Sequence, residues 1–262
     1  MKTTKRLTAL LITVALALSL TACSMGGGTG DVLAGADKAL TESSYTARVS
    51  IIYACEDPTM TAAIDALNTA SITIKKNAEA KELTLKTETD YFTMTKSYVN
   101  AGSMLYHTST AEYKDTTVTV KEKATVTAEE ALYLRMKLGS AAILNTSDFA
   151  TIHIEKGDSS TSVLCTSINA DSLEALENSL TKSLVVLGAE SKVTDVSLSA
   201  TLVDGKYKQT TLAATLEITL CDASYTITLT EITDYTYSDN VAISLPNNPD
   251  DYTIVGYDEI VK

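Results

Sequence analysis

From Val193 to Tyr235 the chain reads VTDVSLSATLVDGKYKQTTLAATLEITLCDASYTITLTEITDY, and apolar residues recur at every second position for most of that length. Successive side chains on an extended chain point to opposite faces, so such a stretch builds strands with one apolar and one wet face. The middle run is the clearest: Leu212, Ala214, Leu216, Ile218 and Leu220 share one face, and Thr211, Thr215, Glu217 and Thr219 share the other. Asp204-Gly205 sits between two alternating runs as a two-residue hairpin turn, since both central positions of that turn want positive φ. A second turn is expected near Asp222, which makes the C-terminal third a three-stranded meander.

Earlier segments repeat the pattern. YTARVSIIY places Tyr45, Ala47, Val49, Ile51 and Tyr53 on one face, and further alternating runs lie near residues 72–74, 82–89, 91–99, 104–110, 116–120, 150–155 and 162–168. Composition agrees: about 40 threonines, 13 Tyr, 2 Phe and no Trp favour a pleated, half-buried surface.

Helix signals are fewer. Asp171-Ser-Leu-Glu174 is a cap with an acid three residues on, followed by Leu173, Leu176, Leu180, Leu184 and Leu187 on one stripe and closed by Gly188. Asp57-Pro58 opens a short helix carrying Met60, Ile64 and Leu67 inward. Thr127-Ala-Glu-Glu130 is another capping box, and residues 31–43 form a helix with Leu33, Ala36 and Leu40 on one side. The expected class is α+β, a large antiparallel sheet with helices packed on it, in a single domain spanning residues 31–262.

The N-terminus has a separate meaning. Lys2, Lys5 and Arg6 precede an apolar run of about 14 residues, too short for a bilayer crossing of about 20 and right for a secretion signal. It ends in Leu20-Thr21-Ala22-Cys23, which resembles the lipobox of bacterial lipoproteins. The resemblance implies that residues 1–22 are removed and that Cys23 carries a diacylglycerol, with residues 23–30 as a Gly-rich tether to the outer face of the membrane. Two acyl chains hold a protein there stably, where one would be marginal.

Loss of the leader takes Lys2, Lys5 and Arg6 with it and moves the formal charge from −12 to −15. Phosphate backbones and anionic lipid heads repel so acidic a body, so nucleic acid is not an expected partner and charge does not hold it to the membrane.

No catalytic constellation assembles in the sequence. Walker A, G-x-S-x-G, dinucleotide and H-E-x-x-H patterns are missing. Ser179-Leu-Thr-Lys182 fits S-x-x-K, but Leu180 belongs to the apolar stripe and neither companion motif is present, so it reads as coincidence. His107 and His153 are isolated on strand-like stretches, and Cys55, Cys165 and Cys221 match no zinc spacing. Those cysteines read as small buried hydrophobes, with one bridge plus a free thiol as the alternative. Asp250-Asp251 and Asp258-Glu259 read as solvated acids without a calcium-loop ladder around them. The chain is therefore expected to be neither an enzyme nor a holder of a metal or cofactor.

The lipobox, the opening ADKALTESSYTARVSI and the ending YTITLTEITDYTYSDNVAISLP together resemble the extracytoplasmic lipoproteins of Gram-positive bacteria with the lipoprotein-carrier fold. That fold, found in the LolA and LolB carriers and in the mycobacterial LppX and LprG lipoproteins, implies a strongly curved antiparallel half-barrel with helices on its concave face. It implies an apolar ligand, an acyl chain or lipid, between sheet and helix near Leu176, Leu180, Leu184, Leu216 and Ile218. This chain departs from the pattern in having no Trp and little Phe to line a groove. An anchored structural or protein-interaction module without ligand is the second class that the residues leave open.

Overall fold

The computed structural model describes residues 29–61, 64, 65, 68, 70–127, 148–174, 176, 177, 190–220 and 223–260. The expected leader, Leu20 to Cys23, the bulk of the tether, Glu129 and Glu130, Leu67, Leu180, Leu184, Leu187 and Cys221 lie outside them.

Among the described residues twelve strands form one strongly curved, unclosed sheet, the α+β half-barrel that the alternation and the resemblance led us to expect. The strands are β1 (Tyr45–Cys55), β2 (Ala70–Lys76), β3 (Ala80–Glu88), β4 (Thr93–Ala101), β5 (Met104–Tyr113), β6 (Thr116–Thr125), β7 (Phe149–Lys156), β8 (Thr161–Ile168), β9 (Glu190–Val203), β10 (Lys206–Leu220), β11 (Ala223–Tyr237) and β12 (Thr253–Ile254). Their spatial order is β12-β6-β5-β4-β3-β2-β1-β11-β10-β9-β8-β7. Two antiparallel meanders are thus joined at a single seam, where β1 pairs β11 over its whole length from Tyr45↔Tyr237 to Cys55↔Ile227.

Local chemistry explains the turns. Asp204 (φ 52°) and Gly205 (φ 71°) both lie in the left-handed region, so the β9–β10 hairpin closes through the expected two-residue turn. Lys114 (φ 49°) does the same at the β5–β6 turn. β1 runs past the end of β2, and Asn68 fills the gap there: its Oδ1 accepts from Tyr53 N at 2.7 Å and its Nδ2 donates to Tyr53 O at 2.9 Å. Asp57 Oδ1 accepts from Thr59 N at 2.8 Å and starts the turn that buries Met60 and Ile64, as the Asp-Pro signal requires.

Helix α1 (Thr29–Glu42) starts two residues before the expected boundary and seats Ala36 against the sheet. It has no basic residue in its last turn, and Lys76 of β2 supplies the missing cation, donating to Thr41 O at 2.6 Å and Ser43 O at 3.1 Å. Helix α2 (helical residues 170–174, 176 and 177) begins earlier than the expected Asp171 cap: Leu173 N donates to Asn169 O at 2.9 Å, so Asn169 stands at its start and Asp171 lies within it. Helix α3 (Tyr257–Ile260) was not foreseen: the two prolines and paired asparagines do interrupt the meander, but the chain then resumes structure. A turn at Pro249–Asp251 leads into β12, which runs parallel to β6, and Tyr257 and Ile260 are buried next to that edge.

Alternation then decides the faces. Ala47, Val49, Tyr53, Leu212, Ala214, Leu216, Ile218, Ile227 and Leu229 are all buried in one cluster with Ala36 and Leu176. The other face carries Thr215, Glu217, Thr219, Thr226 and Thr228, mostly exposed.

Candidate functional site

The concave face is the surface on which helix and sheet meet, and three of the five expected ligand-contacting residues are described there. Leu176, Leu216 and Ile218 are fully buried in one cluster. What brings them together is a hydrogen bond beside Leu176: Glu177 Oε1 accepts from Val193 N at 2.8 Å, and Val193 is the cross-strand neighbour of Leu216. Leu180 and Leu184 lie outside the described residues, as do Ser179 and Lys182.

Among the described residues three buried polar side chains interrupt this apolar face, and the sequence reading missed the role of each. Glu231 and Thr233 occupy inward positions of β11, each 1% exposed. Glu231 has Ile51 and Leu212 as cross-strand neighbours, and Thr233 has Val49 and Thr210. Among the described residues the buried Thr233 hydroxyl has no hydrogen-bond partner. Glu231 also acts on its surroundings: burial first, and then its charge, push the Tyr53 hydroxyl up to about 12. The available signal was phase, because residues 227, 229, 231, 233 and 235 are every second residue of one strand and must share a face.

His107 is the third, and here the expectation of isolated histidines fails. Strand register places Glu122, His107 and Tyr98 side by side on β6, β5 and β4, continuing through Leu83, Ile74 and Ala47 to Tyr235. The imidazole stacks on Tyr98 at 4.7 Å between ring centroids, and its Nδ1 donates to Glu122 Oε2 at 2.9 Å. That leaves Nε2 buried without a partner among the described residues. Burial, and secondarily the Glu122 charge, push the Tyr98 hydroxyl up to about 12. Sequence spacing alone hides this row, since its members are brought together by two hairpins.

At the seam, Tyr45, Tyr207, Tyr235 and Tyr237 form a cluster of rings, with Tyr45 to Tyr235 edge-to-face at 5.8 Å. Tyr207 donates to Asp37 Oδ1 of α1 at 2.7 Å, tying the helix to the inner face. Burial, then that hydrogen bond, raise the Tyr207 hydroxyl far above its ordinary range.

The remaining candidates sit elsewhere. Cys165 is fully buried and burial alone pushes its thiol up to about 11, while Cys55 is half-buried; both are free thiols. Asp250 and Asp251 are exposed in the turn before β12, and Asp258 and Glu259 open α3. His153 is exposed on β7.

Chemically, the arrangement is a wide aliphatic and tyrosine face with a few inward polar groups, and among the described residues His107 Nε2, Thr233 Oγ1 and the Tyr237 hydroxyl are buried without a hydrogen-bond partner. No family model matches the chain, and no curated protein matches it. Solved structures similar to it include the dehydratase domain from the CurK module of curacin polyketide synthase (9% identity, 87% of this chain, 82% of that chain, TM-score 0.16). Another is the tesB protein of Mycobacterium avium subs paratuberculosis (8% identity, 79% of this chain, 85% of that chain, TM-score 0.13). At such TM-scores neither likeness bears on fold or function.

Proposed function

We propose that this chain is a lipid-anchored extracytoplasmic lipoprotein, without enzymatic activity, that binds an apolar ligand carrying a hydrogen-bonding head on the concave face of its sheet. The observation that supports the reading is the buried Thr233 hydroxyl, which has no hydrogen-bond partner among the described residues, within an otherwise apolar face. Buried polar groups are nearly always partnered in a folded protein, and small-molecule sites are apolar surfaces with a few convergent polar groups. A ligand with a hydroxyl or amide head toward Thr233 and an aliphatic body on the apolar cluster of Leu176, Leu216 and Ile218 satisfies both needs. Each buried methylene contributes about 0.8 kcal/mol, so burial of a ten-carbon chain supplies about 8 kcal/mol, the equivalent of micromolar affinity before ordering costs. The Cys23 anchor would keep this ligand exchange at the membrane face.

The test has two arms. Organic-solvent extraction of the purified protein, followed by titration with a fluorescent fatty acid and a fluorescent monoacylglycerol, is expected to show co-purified lipid and saturable binding, tighter for the neutral head. Folded protein with neither result refutes ligand carriage and leaves the anchored interaction module. Separately, Cys23→Ser is expected to abolish metabolic labelling by a fatty acid; a variant labelled as strongly as the parent refutes the anchor.

A further inference from the structure

Thr233 has polar company on the inner face of the central strands. Glu231 precedes it by two residues on the same face of β11, which sets their Cα atoms about 6.7 Å apart along the strand. Both residues are 1% exposed. Ile51 and Leu212 flank Glu231 across the sheet, and Leu229 and Thr233 flank it along the strand. Among the described inward positions of β1, β10 and β11, Glu231 alone carries a formal charge, although a charge is the costliest kind of group to bury.

Tyr53 stands diagonally across from Glu231, since its own cross-strand neighbour is Leu229, and it too is buried. Burial, and after it the Glu231 charge, raise the Tyr53 hydroxyl to about 12, so that hydroxyl remains a donor at neutral pH. The hydrogen-bonding capacities of the three groups are complementary: Tyr53 donates, an ionised Glu231 only accepts, and Thr233 does either. Glu231 has contacts of its own within the protein, and a carboxylate with about four acceptor positions keeps room for a further donor.

We propose that Glu231 selects the head of the ligand: an uncharged head with hydroxyl or amide N–H donors is accepted, and a carboxylate head is turned away. This selection rests on ligand carriage by the concave face and adds to it the residue that sets specificity. A monoacylglycerol head matches the set, with its ester carbonyl accepting from Tyr53 and its two hydroxyls directed to Thr233 and Glu231. A fatty acid instead sets one carboxylate against another away from water, where like charges repel far more strongly than in solvent. A neutral donor meeting an ionised carboxylate forms one of the stronger kinds of hydrogen bond. The acidic surface of the protein also repels a carboxylate, but salt screens that field and hardly touches a buried pair.

The test uses three fluorescent probes with one common acyl chain, ending in a carboxylate, a primary amide and a glycerol ester, titrated into the purified, lipid-extracted protein. The parent should bind the amide and the glycerol ester at least about ten-fold more tightly than the carboxylate, and the ratio should survive about 0.5 M NaCl. Glu231→Gln keeps the shape and removes the charge, so with an unchanged circular dichroism spectrum it should bind the carboxylate at least about ten-fold better than the parent does, while the amide loses affinity rather than gaining it. Equal binding of amide and carboxylate by the parent, or a ratio that collapses in salt, overturns selection by Glu231 and leaves ligand carriage intact. So does a folded Glu231→Gln that keeps the parental ratio. Absence of saturable binding by all three probes overturns ligand carriage itself, and the selection with it. The parent's ratio in salt decides the matter even where Glu231→Gln does not fold.

Discussion

Replacing Thr233 by valine exchanges a hydroxyl for a methyl group with almost no change in shape, at a position where the hydroxyl has nothing to bond. Thr233 is 1% exposed, faces the concave side between Val49 and Thr210, and its Oγ1 lacks a partner among the described residues. A buried hydroxyl without a partner costs about 1–3 kcal/mol, and the new methyl adds favourable burial of up to about 0.8 kcal/mol. Strand preference is similar for the two residues, so Thr233→Val should stabilise the ligand-free protein by about 1–3 kcal/mol. The chain has no Trp, so urea unfolding is best followed by far-ultraviolet circular dichroism and tyrosine fluorescence, with lipid first extracted. The control is Thr226→Val on the same strand's exposed face, where the change should stay within about 0.5 kcal/mol. The same Thr233→Val substitution should weaken binding of the neutral-headed probe, because the ligand loses its partner while the protein gains. A variant less stable than the parent at unchanged denaturant slope refutes the reasoning, since it shows that the hydroxyl is satisfied in the folded state.

Two further outcomes follow from the same face. Leu216→Ala, at a fully buried position between Val193 and Ile227, should cost about 2–5 kcal/mol in urea unfolding if the helix seats tightly there, and a loss below about 1 kcal/mol would show a loosely filled space instead. Alkali should unfold the protein through its inner tyrosines. Tyr53 and Tyr98 titrate near 12 when folded and near 10.0 when unfolded, so the folded state holds more protons between those values; stability complete below pH 10 then falls by about 1.4 kcal/mol per pH unit for each. Tyr53→Phe and Tyr98→Phe should each flatten that slope, and an unchanged slope would place the hydroxyls in water.

Much of this protein could be read from its residues alone because the physics involved is local. Period-two alternation specified which side of β10 faces inward, down to Leu212, Ala214, Leu216 and Ile218, and Asp204-Gly205 specified a turn that needs positive φ at both positions. The Asp57 turn depends on a side chain two residues from the backbone group it serves, so its signal survives in any short window, whereas the cap signal at Asp171 fell two residues inside the helix that starts at Asn169. The order of the first six strands follows from hairpin after hairpin. Tertiary structure alone decided what was non-local. The β1–β11 seam joins residues about 180 positions apart, and no window of sequence shows that Tyr45 will meet Tyr237. The final residues could not be placed by pattern either, since β12 is two residues long and is held by the edge of β6 rather than by its own propensity. For the candidate site the same division holds: Leu216 and Ile218 were visible as an apolar stripe. The row of Glu122, His107 and Tyr98 exists only once two hairpins fold back, and Glu231 and Thr233 gain their meaning only because the sheet's curvature and the helices against it remove their face from water.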